Sequence, residues 1–390
     1  MIILNLIVSM LALSCNSYDK VLEYGTPESV GLLSWPLVQL EKNISSYLIP
    51  ANYSSATYNE IHPIYPGATV MIGHQGTIVS HFAVGEVVKY ANENGTDSWR
   101  EVVLASTCTV STYIPDFSVN GKENVTVLQL LTHTAGFDAD PVPPLWTGYA
   151  SYSARRQAII SQGLLNQPGT TYLYSDLSFM TMQIVLEIVT GLTLDVLLER
   201  DFTGPLGMTD TFFNRGNHAL DTSRIAATEF QIAVQGAHEP QRPQPVWGTV
   251  HDENAWSLDG VSGHAGVFST SMNLGIFCQM ILNDGKYGNV RILQPQSVDK
   301  IFTDYNKAFP GHEHGLGFEL NQFYFSGPMQ SLQTAGHTGF TGTSIVIDRP
   351  SDTFMVLLTN RVHPSRTWSS PNIAREMVGY WVKKAMGFGE

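Results

Sequence analysis

The sequence predicts an α+β fold with a helical insertion, and three observations lead there. Two β-rich hairpin patterns lie far apart, one around His74-Gln75-Gly76 and one around Arg349-Pro350-Ser351-Asp352. The chain between them is mostly helical in its apolar spacing. An amphipathic helix then closes the sequence. Strands so distant share one sheet only if the chain returns to it, which makes the middle an insertion.

Taken in order, the first fourteen residues, MIILNLIVSMLALS, are apolar and too short for a stable membrane span. Ala12 and Ser14 occupy the small-residue positions of a cleavage site, so 1–14 reads as a secretory signal peptide and the chain as secreted. After the turn-rich GTPESVGL, the run SWPLVQLEKNISSYL has apolar residues at helical spacing. GATVMIGHQGTIVSHFAVGEV gives two β-rich runs around a Gly turn, an antiparallel hairpin. DLSFMTMQIVLEIVTG and NLGIFCQMILNDG read as helices. TSIVID and TFMVLLTN form the second hairpin. NIAREMVGYWVKKAMG carries its basic residues toward the C-terminal end, where the helix dipole favours them. The divisions follow: a domain over 24–390, with a sheet part at 60–109 and 225–390 and a helical part at 110–224.

Composition narrows the function classes. At 390 residues, 43% hydrophobic and 14% charged, the chain buries a large core and is not disordered. Lysine and arginine total 21 against 34 acids, a net charge of −13, and no basic run occurs, which excludes a general nucleic-acid binder. Cys15, Cys108 and Cys278 exclude a disulfide-dense scaffold and a four-cysteine zinc module; Cys108 and Cys278 read as buried free thiols, the alternative being a single bridge between them. Sequons at Asn43, Asn52, Asn94 and Asn124 fit a secreted glycoprotein, although roughly three would arise by chance. G-x-S-x-G, the P-loop, G-x-G-x-x-G and H-E-x-x-H are all absent. His312-Glu313-His314 lies among Gly and Pro without a third placed ligand and reads as an exposed loop, so no metal and no organic cofactor are expected.

Three strings are specific: LQLLTHTAGF (Leu128 to Phe137), PGTTYLYSDLSF (Pro168 to Phe179) and AGHTGFTGTSIVID (Ala335 to Asp348). With GTPESVG near the start and VSGHAGVFST (Val261 to Thr270), their order resembles the serine β-lactamase and penicillin-binding-protein superfamily. The esterase and class C β-lactamase-related branch is the nearer match. The resemblance implies an antiparallel sheet flanked by helices with an inserted all-helical domain. It also implies acyl-enzyme chemistry on a small ester, amide or β-lactam.

Carried over residue by residue, the resemblance makes Ser106 the nucleophile and Tyr174 the tyrosine that shares proton transfer. His337 takes the strand position that holds lysine or histidine, Thr338 and Gly339 line the wall beside it, and the Phe340 N–H stands as an oxyanion donor. Asp176 replaces the commoner Asn as a substrate-binding residue. His133 falls in a string that caps a turn and is not counted as catalytic. The pattern breaks at Thr109, which stands where the activating lysine of Ser-x-x-Lys belongs. About two dozen further family residues, the nucleophile's own helix among them, have no counterpart before Tyr113-Ile114-Pro115. Ser17-Lys20 and Ser297-Lys300 repeat the Ser-x-x-Lys spacing only at chance frequency and neither is placed to face Tyr174. The expectation is a secreted family hydrolase by descent with impaired catalysis in this chain. The alternatives are a non-catalytic binding or scaffold member and the product of a skipped exon.

Overall fold

The computed structural model describes residues 20–53, 61–85, 98–99, 108–215, 222–231, 244–367 and 370–387. The leader, Cys15, Asn94 and Ser106 lie outside them. The strands in chain order are β1 (Glu23–Tyr24), β2 (Gly67–His74), β3 (Thr77–Gly85), β4 (Ser98–Trp99), β5 (Phe212–Phe213) and β6 (Val267–Phe268). They continue as β7 (Lys286–Tyr287), β8 (Val290–Arg291), β9 (Glu319–Leu320), β10 (Thr334–Thr338), β11 (Ser344–Asp348) and β12 (Thr353–Thr359).

Both expected hairpins form. Gln75 and Gly76 sit at φ 50° and 82°, the left-handed pair that a two-residue hairpin turn requires. Asp352, at φ 50°, ends the second turn and donates its N–H to Arg349 O. The hairpins then join: β12 pairs antiparallel with β2 from Thr353↔His74 to Thr359↔Ala68. This pairing brings the two ends of the chain into one seven-stranded sheet, ordered β1-β3-β2-β12-β11-β10-β9.

Period-two alternation decides which helix covers which face. Val70 and Ile72 of β2 with Met355 and Leu357 of β12 meet the helices Ser34–Ser46 and Asn372–Ala385 through Leu40, Ile44, Val378 and Val382. Met71, Phe354 and Val356 face the opposite side, against Leu274, Phe277 and Ile281 of the helix Ser271–Leu282. That helix comes so close that a Cβ on Gly275 would stand 2.8 Å from Met71 Sδ. A third core, including Val110, Phe117, Leu130, Phe137, Leu177 and Met180, holds the inserted helical part together.

The structure differs from the sequence expectations at several points. β1 runs parallel to β3, so the sheet is mixed and not wholly antiparallel. β5 lies within 110–224 and pairs with β6, so the insertion is not purely helical. Cys278 is buried but Cys108 is exposed, because the segment carrying Cys108 offers its backbone, not its side chain, to the core through Val127 N–H to Cys108 O. In His312-Glu313-His314, His312 is exposed and stacks on Tyr172, whereas His314 is buried at 1% exposure. The loop folds inward because its backbone is taken up by Tyr305 N–H and by the Asp304 carboxylate. Among the described residues no single helix is long and apolar enough to cross a membrane.

Candidate active site

Tyr174 precedes the helix Asp176–Thr190, whose N-cap is Ser175. The Ser175 hydroxyl accepts from Ser178 N–H and donates to Asp138 O at 2.6 Å, fixing where the helix begins. Beneath the tyrosine lies His133, buried and held at φ 56°. Its Nδ1 accepts the Ser175 N–H at 3.0 Å, and its ring centroid is 4.3 Å from that of Tyr174 and 4.9 Å from that of Phe179. His133 thus supports the backbone and ring of Tyr174. Replacing it with alanine leaves a buried N–H without its acceptor and removes the stacked ring. We expect His133→Ala to lower unfolding stability by about 1–3 kcal/mol in urea titration. An unchanged midpoint would remove this positioning role.

His337 stands on the opposite wall, its ring centroid 6.3 Å from that of Tyr174. It lies in β10, between β11 and the two-residue β9. Pairing with β9 ends at Gly336, so His337 and Thr338 run on past the last rung on that side. The His337 Nδ1–H donates to Thr338 O at 3.0 Å. Beyond the strand, Gly339 N–H bonds Thr343 O at 2.8 Å and closes a tight turn. Arg375, buried in the C-terminal helix, ties that turn from below by donating to Gly339 O at 2.9 Å and Thr343 O at 2.8 Å. Among the described residues no hydrogen bond engages the Phe340 N–H. The Phe340 ring is half-exposed, stacked on His251, with Arg361 5.0 Å and Arg366 5.7 Å from its centroid.

Two cavities flank Phe340. One, of about 250 Å³, is lined by Tyr174, Thr338, Gly339, Phe340, Arg361 and Arg375 among others. The other, of about 340 Å³, shares Gly339 and Phe340 and adds Asp176 and a group of acids. Four of the site residues expected from sequence therefore share one cavity, Asp176 lies in its neighbour, and His337 faces Tyr174 beside them. Ser106 is outside the described residues.

Neither lining includes a described lysine. Thr109 instead bridges Thr126 in the backbone, with its hydroxyl 3.0 Å from that of Thr112. Lys122 is fully buried and donates to the carbonyl oxygens of Ile160 and Gln162, with its ammonium over the Phe117 ring. Burial pushes its amine down to about 8, and its carbonyl cage marks it as a structural cation. Lys20 pairs with Asp352, and Ser297 and Lys300 lie in the helix Pro295–Ile301, outside both linings.

Sequence reasoning missed the support given by Arg375 and the group formed by Asp176, Asp252 and His264, whose donor atoms lie within 4.8 Å of one another. His264 Nδ1 is 2.7 Å from Ser262 Oγ and Nε2 is 2.8 Å from Asp252 Oδ1. Asp252 Oδ1 also caps Ala255 N–H at 2.7 Å. Protein hydrogen bonds thus engage both ring nitrogens of His264. The VSGHAGVFST string was the available signal for this loop, but its partner Asp252 could not be read from it.

A mixed sheet with a largely helical insertion, and a cleft between a tyrosine of the insertion and a histidine of a sheet strand, define a serine β-lactamase and penicillin-binding-protein-like fold. The chain belongs to the beta-lactamase family, whose model matches residues 84–376. It is 31% identical to an Escherichia coli K12 protein named "Putative D-alanyl-D-alanine carboxypeptidase", covering 92% of this chain and 90% of that one. That alignment spans 411 positions, more than the 390 residues here, so the relative carries residues this chain lacks. A penicillin-binding-protein homologue from Caulobacter crescentus superposes with TM-score 0.63 at 17% identity, covering 89% of this chain and 97% of that one. A family VIII carboxylesterase gives TM-score 0.63 at 17% identity, covering 91% and 99%.

Proposed function

We propose that the Tyr174–His337 cleft binds the acyl group of a small ester, amide or lactam, and that turnover in this chain is impaired. The observation that carries this is a cleft with both walls in place, Tyr174 and His337 at 6.3 Å, and no described lysine in either lining. Ser106 is the nucleophile of this scheme, Tyr174 the proton carrier, and the Phe340 N–H an oxyanion donor. A serine hydroxyl needs a base to lose its proton, and Thr109 can neither hold a positive charge nor accept that proton as an amine does. Residues 1–14 direct export in this scheme, with cleavage near Ser14, and N-terminal sequencing of secreted protein checks that.

The central test is labelling by a fluorophosphonate together with hydrolysis of a short-chain nitrophenyl ester. We expect Ser106 to label at or near background and ester turnover to stay close to the uncatalysed rate. Labelling of Ser106 at ordinary enzyme rates would overturn the impairment. Genomic sequence at the codons for Thr109 and Val110 distinguishes its origin: an in-frame skipped exon means an active gene, and uninterrupted coding sequence a binding member of the family.

A further inference from the structure

We propose that Tyr324 and Glu319 act as positioning residues that commit the hydrogen of the Thr338 hydroxyl away from the cleft. Thr338 then offers a ligand only lone pairs, and the cleft favours an amide N–H over an ester oxygen. This rests on the cleft assignment above and narrows its ligand class.

Period-two alternation puts Gly336 and Thr338 on one face of β10 and His337, which meets Tyr174, on the other. Glu319 of β9 pairs with Gly336 and shares its face. The helix Phe323–Ser326 packs there so closely that a Cβ on Gly336 would stand 2.5 Å from the Phe325 ring. Its Tyr324 donates the phenol O–H to Glu319 Oε1 at 2.7 Å. The Thr338 hydroxyl hydrogen-bonds that same phenol oxygen, which links strand end, helix and carboxylate in one chain.

Counting hydrogens gives the chain its direction. A phenol has one, and burial pushes the Tyr324 pKa well above its ordinary 10, so the group keeps it. Burial also raises the Glu319 pKa from its ordinary 4.5, and the Tyr324 hydrogen bond and Arg375 oppose the rise by favouring the carboxylate. The carboxylate takes the Tyr324 hydrogen, so Tyr324 can only accept from Thr338. A threonine hydroxyl likewise has one hydrogen, and here it is spent on Tyr324. What Thr338 can still offer is a lone pair, in the cavity of about 250 Å³ that it lines with Tyr174 and Phe340. A ligand that meets it with an N–H gains a hydrogen bond, and one that meets it with an ester oxygen sets two acceptors against each other.

N-methylphenylacetamide and methyl phenylacetate form a neutral matched pair that differs by N–H against O. Ligand-observed NMR titration at pH 8 uses the full chain carrying Ser106→Ala, which keeps the ester intact whatever the parent's turnover. We expect the amide to bind about fivefold more tightly, the net worth of one neutral hydrogen bond. Tyr324→Phe frees the Thr338 hydrogen, so the ester should gain affinity until the two ligands bind alike. Glu319→Met should do the same without touching Thr338, because Tyr324 deprived of its acceptor turns its hydrogen toward the threonine. A merely structural role would weaken both ligands together and give the ester no gain. Equal affinities before these substitutions, a preference that survives Tyr324→Phe, or parallel weakening of both ligands overturns the proposal while the cleft assignment stands. A preference lost in Tyr324→Phe but kept in Glu319→Met overturns the part given to Glu319. Failure of both ligands to bind overturns the cleft assignment and this proposal with it.

Discussion

Substituting Thr109→Lys and inserting about two dozen residues of a family Ser-x-x-Lys helix after position 109 raises hydrolysis of a short-chain nitrophenyl ester by about 10³-fold or more. On the proposed scheme the change supplies two things together. The lysine gives Ser106 a base and a positive charge one helical turn away, where the two side chains share a face. The helix holds that pair still against Tyr174, whose own position is fixed by His133 and by the Ser175 cap. Thr109→Lys alone supplies the charge without the support, and we expect it to remain near the parent rate. Ser106→Ala in the restored chain returns the rate to background if the gain is nucleophilic. A restored chain that folds, binds substrate and still hydrolyses no faster than the parent rejects Thr109 as the site of impairment. Members of such a site act as a unit, so losing one costs nearly as much as losing all, and the gain is expected only when lysine and helix are supplied together.

How much of this was legible beforehand depends on how local the cause is. The β2–β3 and β11–β12 hairpins follow from turn chemistry at Gln75-Gly76 and near Asp352, where a few neighbouring residues settle the backbone. The helix Ser34–Ser46 follows from the spacing of Leu37, Leu40 and Ile44, although it stops two residues before the expected run does. The Tyr174–His337 approach was legible only through motif order. No local rule joins a helix N-terminus to a strand that far along the chain. β1 escaped notice because two residues beside an edge carry no periodicity. His314 was misread for a related reason. Its Gly- and Pro-rich surroundings look like surface, yet distant groups draw the segment inward: Asn306 reaches Thr132 O, and Gly317 N–H reaches Leu131 O. Burial imposed from a distance leaves no trace in a short window.

That buried histidine gives the second large effect. His314 Nδ1–H donates to Gly315 O at 2.6 Å, and among the described residues Nε2 has no hydrogen-bond partner. Burial pushes its pKa from the ordinary 6.5 down to about 4, with partial opposition from the Gly315 carbonyl and the nearby Asp304. The folded-state value lies below the unfolded one, so between pH 6.5 and 4 the unfolded chain holds the proton that the folded chain refuses. Stability from this residue is therefore complete above pH 6.5 and is lost as the pH falls toward 4, by up to about 3 kcal/mol. Burial also lowers His74 and His363, which slope the same way, so the contribution of His314 must be read as a difference. Urea unfolding of the parent and of His314→Gln at pH 7 and pH 4.5 provides it. We expect the parent to lose about 2–3 kcal/mol more than the variant across that interval. Parallel losses in the two proteins would mean that His314 titrates normally. The site feels the same event, because the His314 ring meets that of His133 edge-on at 5.5 Å and His133 carries Tyr174 on its face. A charge forced onto His314 loosens the support of the tyrosine before the sheet itself gives way. Ligand binding in the cleft should accordingly hold down to about pH 5 and weaken as the pH falls through about 4 while far-ultraviolet circular dichroism stays unchanged, and coincident loss of both signals would place the failure in the whole fold.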